Sequence, residues 1–251
     1  MGLRTLIKNR ISSLTGFWIY KKSELPTGTS LLEDINFKIN LPLHTIMDVG
    51  ANIGQTALNF SKDFPQAKIL SFEPFNSTYQ ELKKNTAHLN NVTCFNLAFS
   101  NKSESIEVKL FDKEQSVLNS LITDSMNNAV NAKTETILTD TIDEFLSKNA
   151  EINSIDLLKI DTEGFEIPIL EGAKKSLLNK KIKLIYVEVG FSRTNNRNSY
   201  FLDIQNYLEQ NNFTFFGFYE ICNIDIKYKI HFGNALYIHN DHLKHIKGVY
   251  S

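Results

Sequence analysis

The chain has 251 residues, enough for one large α/β domain or two small ones. At that length roughly 70–75% of the unfolded surface can be buried, so a sizeable core needs no disulfide or metal staple. Composition is that of a globular protein, 42% hydrophobic and 22% charged, and the formal net charge of −1 provides no cationic excess to grip a phosphate backbone, which argues against nucleic acid as a partner.

Residues 3–18 place Leu3, Ile7, Ile11, Leu14 and Trp18 at helical spacing, with Arg4, Lys8 and Arg10 between them. Such a helix can pack on its own domain, pair with a second subunit as a homodimer contact, or lie on a membrane surface. No apolar stretch with a small-residue cleavage site follows these cations, so no secretory signal is expected, and no apolar run reaches the length of a transmembrane helix. Pro26-Thr27-Gly28-Thr29 breaks the chain and Leu31–Phe37 reads as a further short helix. Residues 1–40 are thus expected to form a helical extension on a main domain of residues 41–251.

A regular alternation then begins. Thr45–Val49 reads as a buried strand, Gln55–Lys62 as a helix, Lys68–Phe72 as a strand, Asn76–Leu89 as a helix capped by Asn76 or Ser77, and Val92–Ala98 as a third strand. Ser105–Phe111 and Glu135–Thr139 form an inserted β excursion around a polar loop, Asp112–Lys133. Helix Thr141–Lys148, strand Ile155–Ile160, helix Glu166–Leu178, strand Leu184–Val189 and helix Ser199–Gln210 restore the rhythm, and Phe213–Tyr219 and Ala235–His239 close the sheet. Strands and helices in alternation predict an α/β fold with a mostly parallel, doubly wound sheet. Cys94 and Cys222 are far apart, match neither a zinc spacing nor a disulfide framework, and read as free thiols of a cytoplasmic protein.

Asp48-Val-Gly-Ala-Asn-Ile-Gly54 falls at the first strand-to-helix turn, where doubly wound sheets meet their ligands. Gly50 and Gly54 allow a ligand close to the backbone. The helix that follows points free N–H groups and a positive dipole end at an anion. The dinucleotide fingerprint G-x-G-x-x-G is not met, because Gly50 and Gly54 are four apart with Ala51 and Asn52 between. Glu73, 25 residues after Asp48 at the end of the next strand, can accept both hydroxyls of a ribose.

Four blocks appear in order: Asp48–Gly54; Phe72-Glu73-Pro74; Leu158-Lys-Ile-Asp-Thr-Glu-Gly-Phe-Glu166; and Leu170-Glu-Gly-Ala173. Together they resemble the FkbM family of methyltransferases over roughly residues 45–240. The resemblance implies a Rossmann-like class I fold with a seven-stranded sheet and an antiparallel last strand. It implies S-adenosylmethionine as cofactor and methyl transfer to a hydroxyl of a sugar, nucleotide-linked sugar or similar small metabolite, as in surface polysaccharide or natural-product biosynthesis. Carried over by position, Gly50, Ala51, Asn52 and Gly54 would line the methionine part of the cofactor and Glu73 would hold the ribose. Pro74 and Phe75 would flank the adenosine, and Ala98 and Phe99 would edge the adenine. Residues 1–40 and the loop Asp112–Lys133 match nothing specific, and substrate choice is expected there.

Methyl transfer from a sulfonium needs in-line alignment and a group to take the hydroxyl proton. Asp161 and Glu163 after the fourth strand, Glu188 at the end of the fifth, and His231 or His239 are candidates, and Lys159 shares a strand face with Asp161. Asp161 and Glu188 could also ligate a divalent ion that binds two adjacent sugar hydroxyls. Glu166 and Glu171 read as solvated or capping residues, and Arg193 and Arg197 could grip a substrate phosphate or carboxylate. Two readings compete: an NAD-dependent oxidoreductase or epimerase, weakened by the glycine spacing and the absence of a Tyr-x-x-x-Lys pair, and a nucleoside-binding scaffold without catalysis. A nucleic-acid methyltransferase is weakened by the near-neutral charge and the lack of an Asn/Asp-Pro-Pro-Tyr/Phe tetrapeptide.

Overall fold

A computed structural model describes residues 3–110, 133–194, 197–223 and 230–245. The expected loop Asp112–Lys133 lies outside these residues up to its last position.

Continuous apolar runs bounded by Gly, Pro or Asn become the central strands. They are β1 (Thr45–Val49), β2 (Lys68–Phe72), β3 (Val92–Phe95), β7 (Ile155–Ile160), β8 (Ile182–Gly190), β9 (Phe213–Cys222) and β10 (Phe232–His239). They form one sheet in the order β3-β2-β1-β7-β8-β10-β9. β10 runs antiparallel to both its neighbours, whereas β3-β2-β1-β7-β8 are parallel. This is the expected mostly parallel sheet with an antiparallel last strand. The order reverses between β1 and β7, which leaves a crevice beyond the carboxyl ends of those strands.

Both faces of the sheet are covered, which is why its strands are mostly apolar. Met47, Val49, Leu158, Ile160 and Val187 pack against α5 (Ile142–Lys148), α6 (Glu166–Gly172) and α8 (Phe201–Gln210). Ile46, Ile69, Leu157 and Leu184 pack against Phe60 and Phe64 of the α3 region (Gln55–Asp63) and against Ile35 and Ile39. Those last two come from α2 (Leu31–Glu33) and the π turn Asp34–Ile39 that continues it.

A second, three-stranded sheet has the order β4-β6-β5, from β4 (Ala98–Phe99), β5 (Glu104–Leu110) and β6 (Lys133–Asp140). It is the expected β excursion, but it begins earlier than the sequence suggests. The predicted third strand Val92–Ala98 stops at Phe95, because the Asn96 side chain donates to the backbone oxygens of Glu73 and Pro74 and turns the chain. Ala98 and Phe99 therefore end no strand of the main sheet; they pair with Thr139 and Asp140 of β6.

Three further differences have local causes. The α4 helix (Asn76–Thr86) is capped by neither Asn76 nor Ser77; the N–H groups of Phe75 and Asn76 donate instead to the carboxylates of Glu73 at 3.1 Å and Glu135 at 2.7 Å. The predicted helix Glu166–Leu178 is two, α6 and α7 (Lys174–Leu178), broken beside Gly172. There the backbone passes so close to Ser100 that a Cβ would lie 2.1 Å from its carbonyl oxygen. The apolar stripe of α1 (Leu3–Thr15) does not pack on its own domain: Leu14 and the following Trp18 are 84% and 81% exposed. Among the described residues no helix is long and apolar enough to cross a membrane.

Phe72 joins the two sheets. It is fully buried, stacks on Phe95 at 4.8 Å and meets Phe99 and Phe145 edge-on at 4.7 and 5.1 Å. Phe72→Ala is expected to reduce the unfolding free energy by about 3–5 kcal/mol, read from the urea midpoint at unchanged slope. A loss under about 1 kcal/mol would contradict the packing role assigned to this ring.

Candidate active site

The β1–α3 turn is tied down by its neighbours. The N–H groups of Gly50 and Ala51 donate to the Phe72 oxygen at 3.1 and 2.9 Å, and Gly50 itself has φ +78°. A Cβ on Gly50 would lie 1.8 Å from the Asp161 carbonyl oxygen, so β1 and β7 meet here backbone to backbone. Asn52 also takes a positive φ, and its side-chain oxygen accepts from the Ile53 N–H at 2.8 Å. No side chain caps α3, so its first N–H groups stay available to a ligand.

Beyond the strand ends lies a cleft of about 780 Å³, counted to its open mouth. Gly50, Asn52, Glu73, Pro74, Phe75, Ala98, Phe99, Asp161 and Glu163 line it, so most of the sequence-predicted positions converge. Ala51 and Gly54 do not line it. Ala51 anchors the turn to β2, while Gly54 faces Leu82 and Thr86 of α4, where a Cβ would come within 3.0 Å of Leu82. Thr162 of the Leu158–Glu166 block also lines the cleft, as do Thr78 and Leu97, which no motif marks.

Glu73 is 6% exposed at the carboxyl end of β2. One carboxylate oxygen accepts from Asn52 N–H and the other from Phe75 N–H, each at 3.1 Å. Burial outweighs these bonds and pushes its carboxyl up to about 7. A buried carboxylate with remaining lone pairs, facing a glycine turn across a cleft, fits the paired hydroxyls of a nucleoside ribose.

Beneath the turn lies a buried charge network. Lys159 Nζ sits 3.2 Å from Asp48 and 3.3 Å from Asp161, and 3.4 Å from the Gly50 oxygen. Burial alone would lower the lysine's affinity for its proton, but the two carboxylates more than offset that and hold it well above the usual lysine range. Lys159 is thus a permanent cation and not a base. Burial also raises the Asp48 carboxyl, against the pull of Lys159.

The other candidates separate. Glu188 is half-buried, accepts from the Asn198 amide, and is pushed up to about 8 by desolvation and by the charge of Asp161. Glu163 pairs with Arg197 at 2.8 Å. Glu166 is not solvated: fully buried, it accepts from Thr162 N–H and Oγ1, Gly164 N–H, and Ser199 N–H and Oγ, stapling the loop after β7 to the start of α8. Arg193 forks onto Asp203 at 2.9 and 3.0 Å, so neither expected arginine stands ready for a substrate anion. His231 lines neither this cleft nor the one next to it. His239 pairs with Phe213 at the opposite edge of the sheet. Among the described residues no three His, Cys, Asp or Glu side chains converge as metal ligands, and the Asp161–Glu188 pair is divided between Lys159 and Asn198.

The family described as "Methyltransferase FkbM domain" matches residues 48–215. The chain is similar to the methyltransferase sdnD of Sordaria araneosa, 29% identical over 53% of this chain and 62% of that protein. It is also similar to the 2-O-methyltransferase NoeI of Sinorhizobium fredii, 26% identical over 59% and 63%. The chain therefore spans somewhat under two thirds of the length of these relatives. Among solved structures it is similar to the METTL16 methyltransferase domain, with 11% identity, a TM-score of 0.48, and coverage of 94% of this chain and 79% of that one.

Removing the buried cation would leave two carboxylates uncompensated. Lys159→Met is expected to cost about 3–5 kcal/mol of stability at pH 8. Asp48 has its folded pKa above its unfolded one, so ionising it costs stability as pH rises, and the penalty should be smaller at pH 5 than at pH 8. Urea denaturation at both pH values checks this, and a penalty that grows on acidification would refute it.

Proposed function

This chain belongs to the FkbM methyltransferase family, and on that premise we propose that it is an S-adenosylmethionine-dependent O-methyltransferase acting on a small, hydroxyl-rich acceptor such as a sugar. The observation that carries the reading is the cleft in which the glycine turn Gly50–Gly54 faces the buried carboxylate of Glu73. Residues 41–251 would form the catalytic unit, with residues 1–40 as its extension. The printed name of one relative, a 2-O-methyltransferase, supports oxygen as the target. The free thiols of Cys94 and Cys222 accord with a reducing compartment.

In this reading the turn and the open start of α3 hold the cofactor's methionine carboxylate, Glu73 accepts from both ribose hydroxyls, and Phe75, Ala98 and Phe99 bound the adenine. When bound, S-adenosylmethionine supplies a methyl group already activated on a sulfonium. The protein then needs to align an oxygen with that methyl and remove the oxygen's proton. Asp161 is assigned the proton-accepting role over Glu163, Glu188 and His231, because it borders the cleft on one side and a second cleft on the other, where an acceptor could stand. Lys159 acts through Asp161: its ammonium, 3.3 Å away, holds that carboxylate in place, a positioning role.

Calorimetry with S-adenosylhomocysteine against NAD⁺ tests the cofactor; tight binding of NAD⁺ alone would sink the reading. Glu73→Ala is expected to weaken S-adenosylhomocysteine binding by about 1–3 kcal/mol. Ribose hydroxyls donate to the ionised carboxylate, so wild-type affinity should fall as pH drops through about 7, and this dependence should vanish in Glu73→Ala. Asp161→Asn is expected to reduce turnover by about 10²–10⁴-fold with cofactor binding intact; near-wild-type turnover would remove Asp161 from the chemistry.

A further inference from the structure

A second cleft, about 970 Å³ including its open side, shares Asp161 and Lys159 with the charge network. It is of the size that takes a small ligand. We propose that this cleft is the acceptor site, and that its acceptor is an uncharged or amine-bearing polyhydroxyl compound, such as a glycoside, rather than a nucleotide-linked sugar. The proposal rests on the methyltransferase reading and narrows its substrate.

The far wall is a built arrangement. Asn234 of β10 donates its amide to Glu220 at 2.9 Å, and Tyr186 of β8 donates its hydroxyl to the same carboxylate oxygen at 3.3 Å. Glu220 sits at φ +49°, at a register shift where β9 and β10 fall out of step between Phe232 and Asn234. Such irregularities re-aim side chains. With its amide occupied, Asn234 keeps a buried side-chain oxygen that has no donor among the described residues. A buried acceptor without a donor is costly to keep dry, and a ligand hydroxyl would relieve that cost. Tyr186 and Tyr219, edge-to-face at 5.7 Å, add ring surface suited to the C–H face of a sugar.

The near wall is the segment Gly28–Leu32. Buried Asp34 holds it: it accepts from Gly28 N–H at 2.9 Å and Tyr219 Oη at 2.7 Å, and pairs with Lys38 at 2.6 Å. Gly28, at φ +88°, lies so close to β9 that a Cβ would be 2.2 Å from the Phe218 oxygen.

Charge decides the ligand class. Among the described residues, Asp63, Asp161 and Glu220 line the cleft against one cation, Lys159, which is already shared by Asp48 and Asp161. A diphosphate would add like charge beside three carboxylates with no arginine among the described lining residues to meet it, whereas hydroxyls and ammonium groups find acceptors.

The test uses the whole chain with methyl-labelled cofactor and a panel of methyl glycosides of neutral sugars, methyl glycosides of amino sugars, and UDP-linked sugars. Label should enter the first two groups at least tenfold more efficiently than the third. Asn234→Leu should raise the KM of the accepted glycoside at least tenfold, with the Kd for S-adenosylhomocysteine within twofold of wild type. Glu220→Gln, which keeps size and one acceptor oxygen, should weaken amino-sugar acceptors more than neutral ones and covers the case in which Asn234→Leu does not fold. Transfer to UDP-linked sugars alone, transfer to none of the panel, or an unchanged KM in both variants overturns the assignment. Failure to bind S-adenosylhomocysteine would instead bring down the methyltransferase reading beneath it.

Discussion

An ammonium group held between two carboxylates organises the ligand edge of this molecule. Asp48 and Lys159 stand directly opposite each other in the β1–β7 register, and Asp161 follows on the same face of β7. A slip of one residue would turn Lys159 into the apolar face formed by Leu158 and Ile160, so the pairing of these two strands is specified by charge as well as by packing. Ion pairs this deep contribute little net stability, because desolvation consumes most of their attraction. What they provide is geometry. With the two strands in register, the backbones of Gly50 and Asp161 come together, the glycine turn faces Glu73, and Asp161 forms the partition between the two clefts.

Much of this was legible in the chain. β1, β2 and β7 appear at their predicted residues, since each is a short, mostly apolar run that ends where glycine or an acidic residue follows. The Asp48–Gly54 turn and Glu73 were legible because their chemistry is local: glycines where backbones meet, an acid where a strand ends. What was missed depends on partners distant in sequence. The end of β3 depends on Asn96 finding the carbonyl oxygens of Glu73 and Pro74, and the cap of α4 on Glu135, 59 residues away. Glu166 reads as a surface acid until Ser199 arrives from the next crossover. Arg193 and Arg197 read as free cations until Asp203 and Glu163 are seen beside them.

The second cleft was illegible for a topological reason. Tyr186, Tyr219, Glu220 and Asn234 come together only because β10 inserts between β8 and β9, and because the β9–β10 ladder is irregular where Glu220 sits. Hydrophobic alternation foretells neither event. The wall Gly28–Leu32 reaches the cleft through Asp34, whose partners Gly28, Lys38 and Tyr219 span almost the whole chain. Residues that seemed an appendage in the sequence thus contribute to the interior, as the burial of Ile35 and Ile39 also shows.

The small second sheet has a consequence for motion. Among the described residues its separate buried cluster is Phe75, Ala98, Val108 and Ile137, while Phe99 of β4 packs into the main core. Segments with so thin a core open ahead of a main core, so the strands β4, β5 and β6 should exchange their amides faster than those of the seven-stranded sheet. Two of those four residues, Phe75 and Ala98, also face the first cleft. A ligand seated there completes the missing core and shifts the local equilibrium towards closure by mass action. Amide protons of β4 and β6 would then slow on ligand binding, and cleft occupancy and the folding of this sheet would be one linked event.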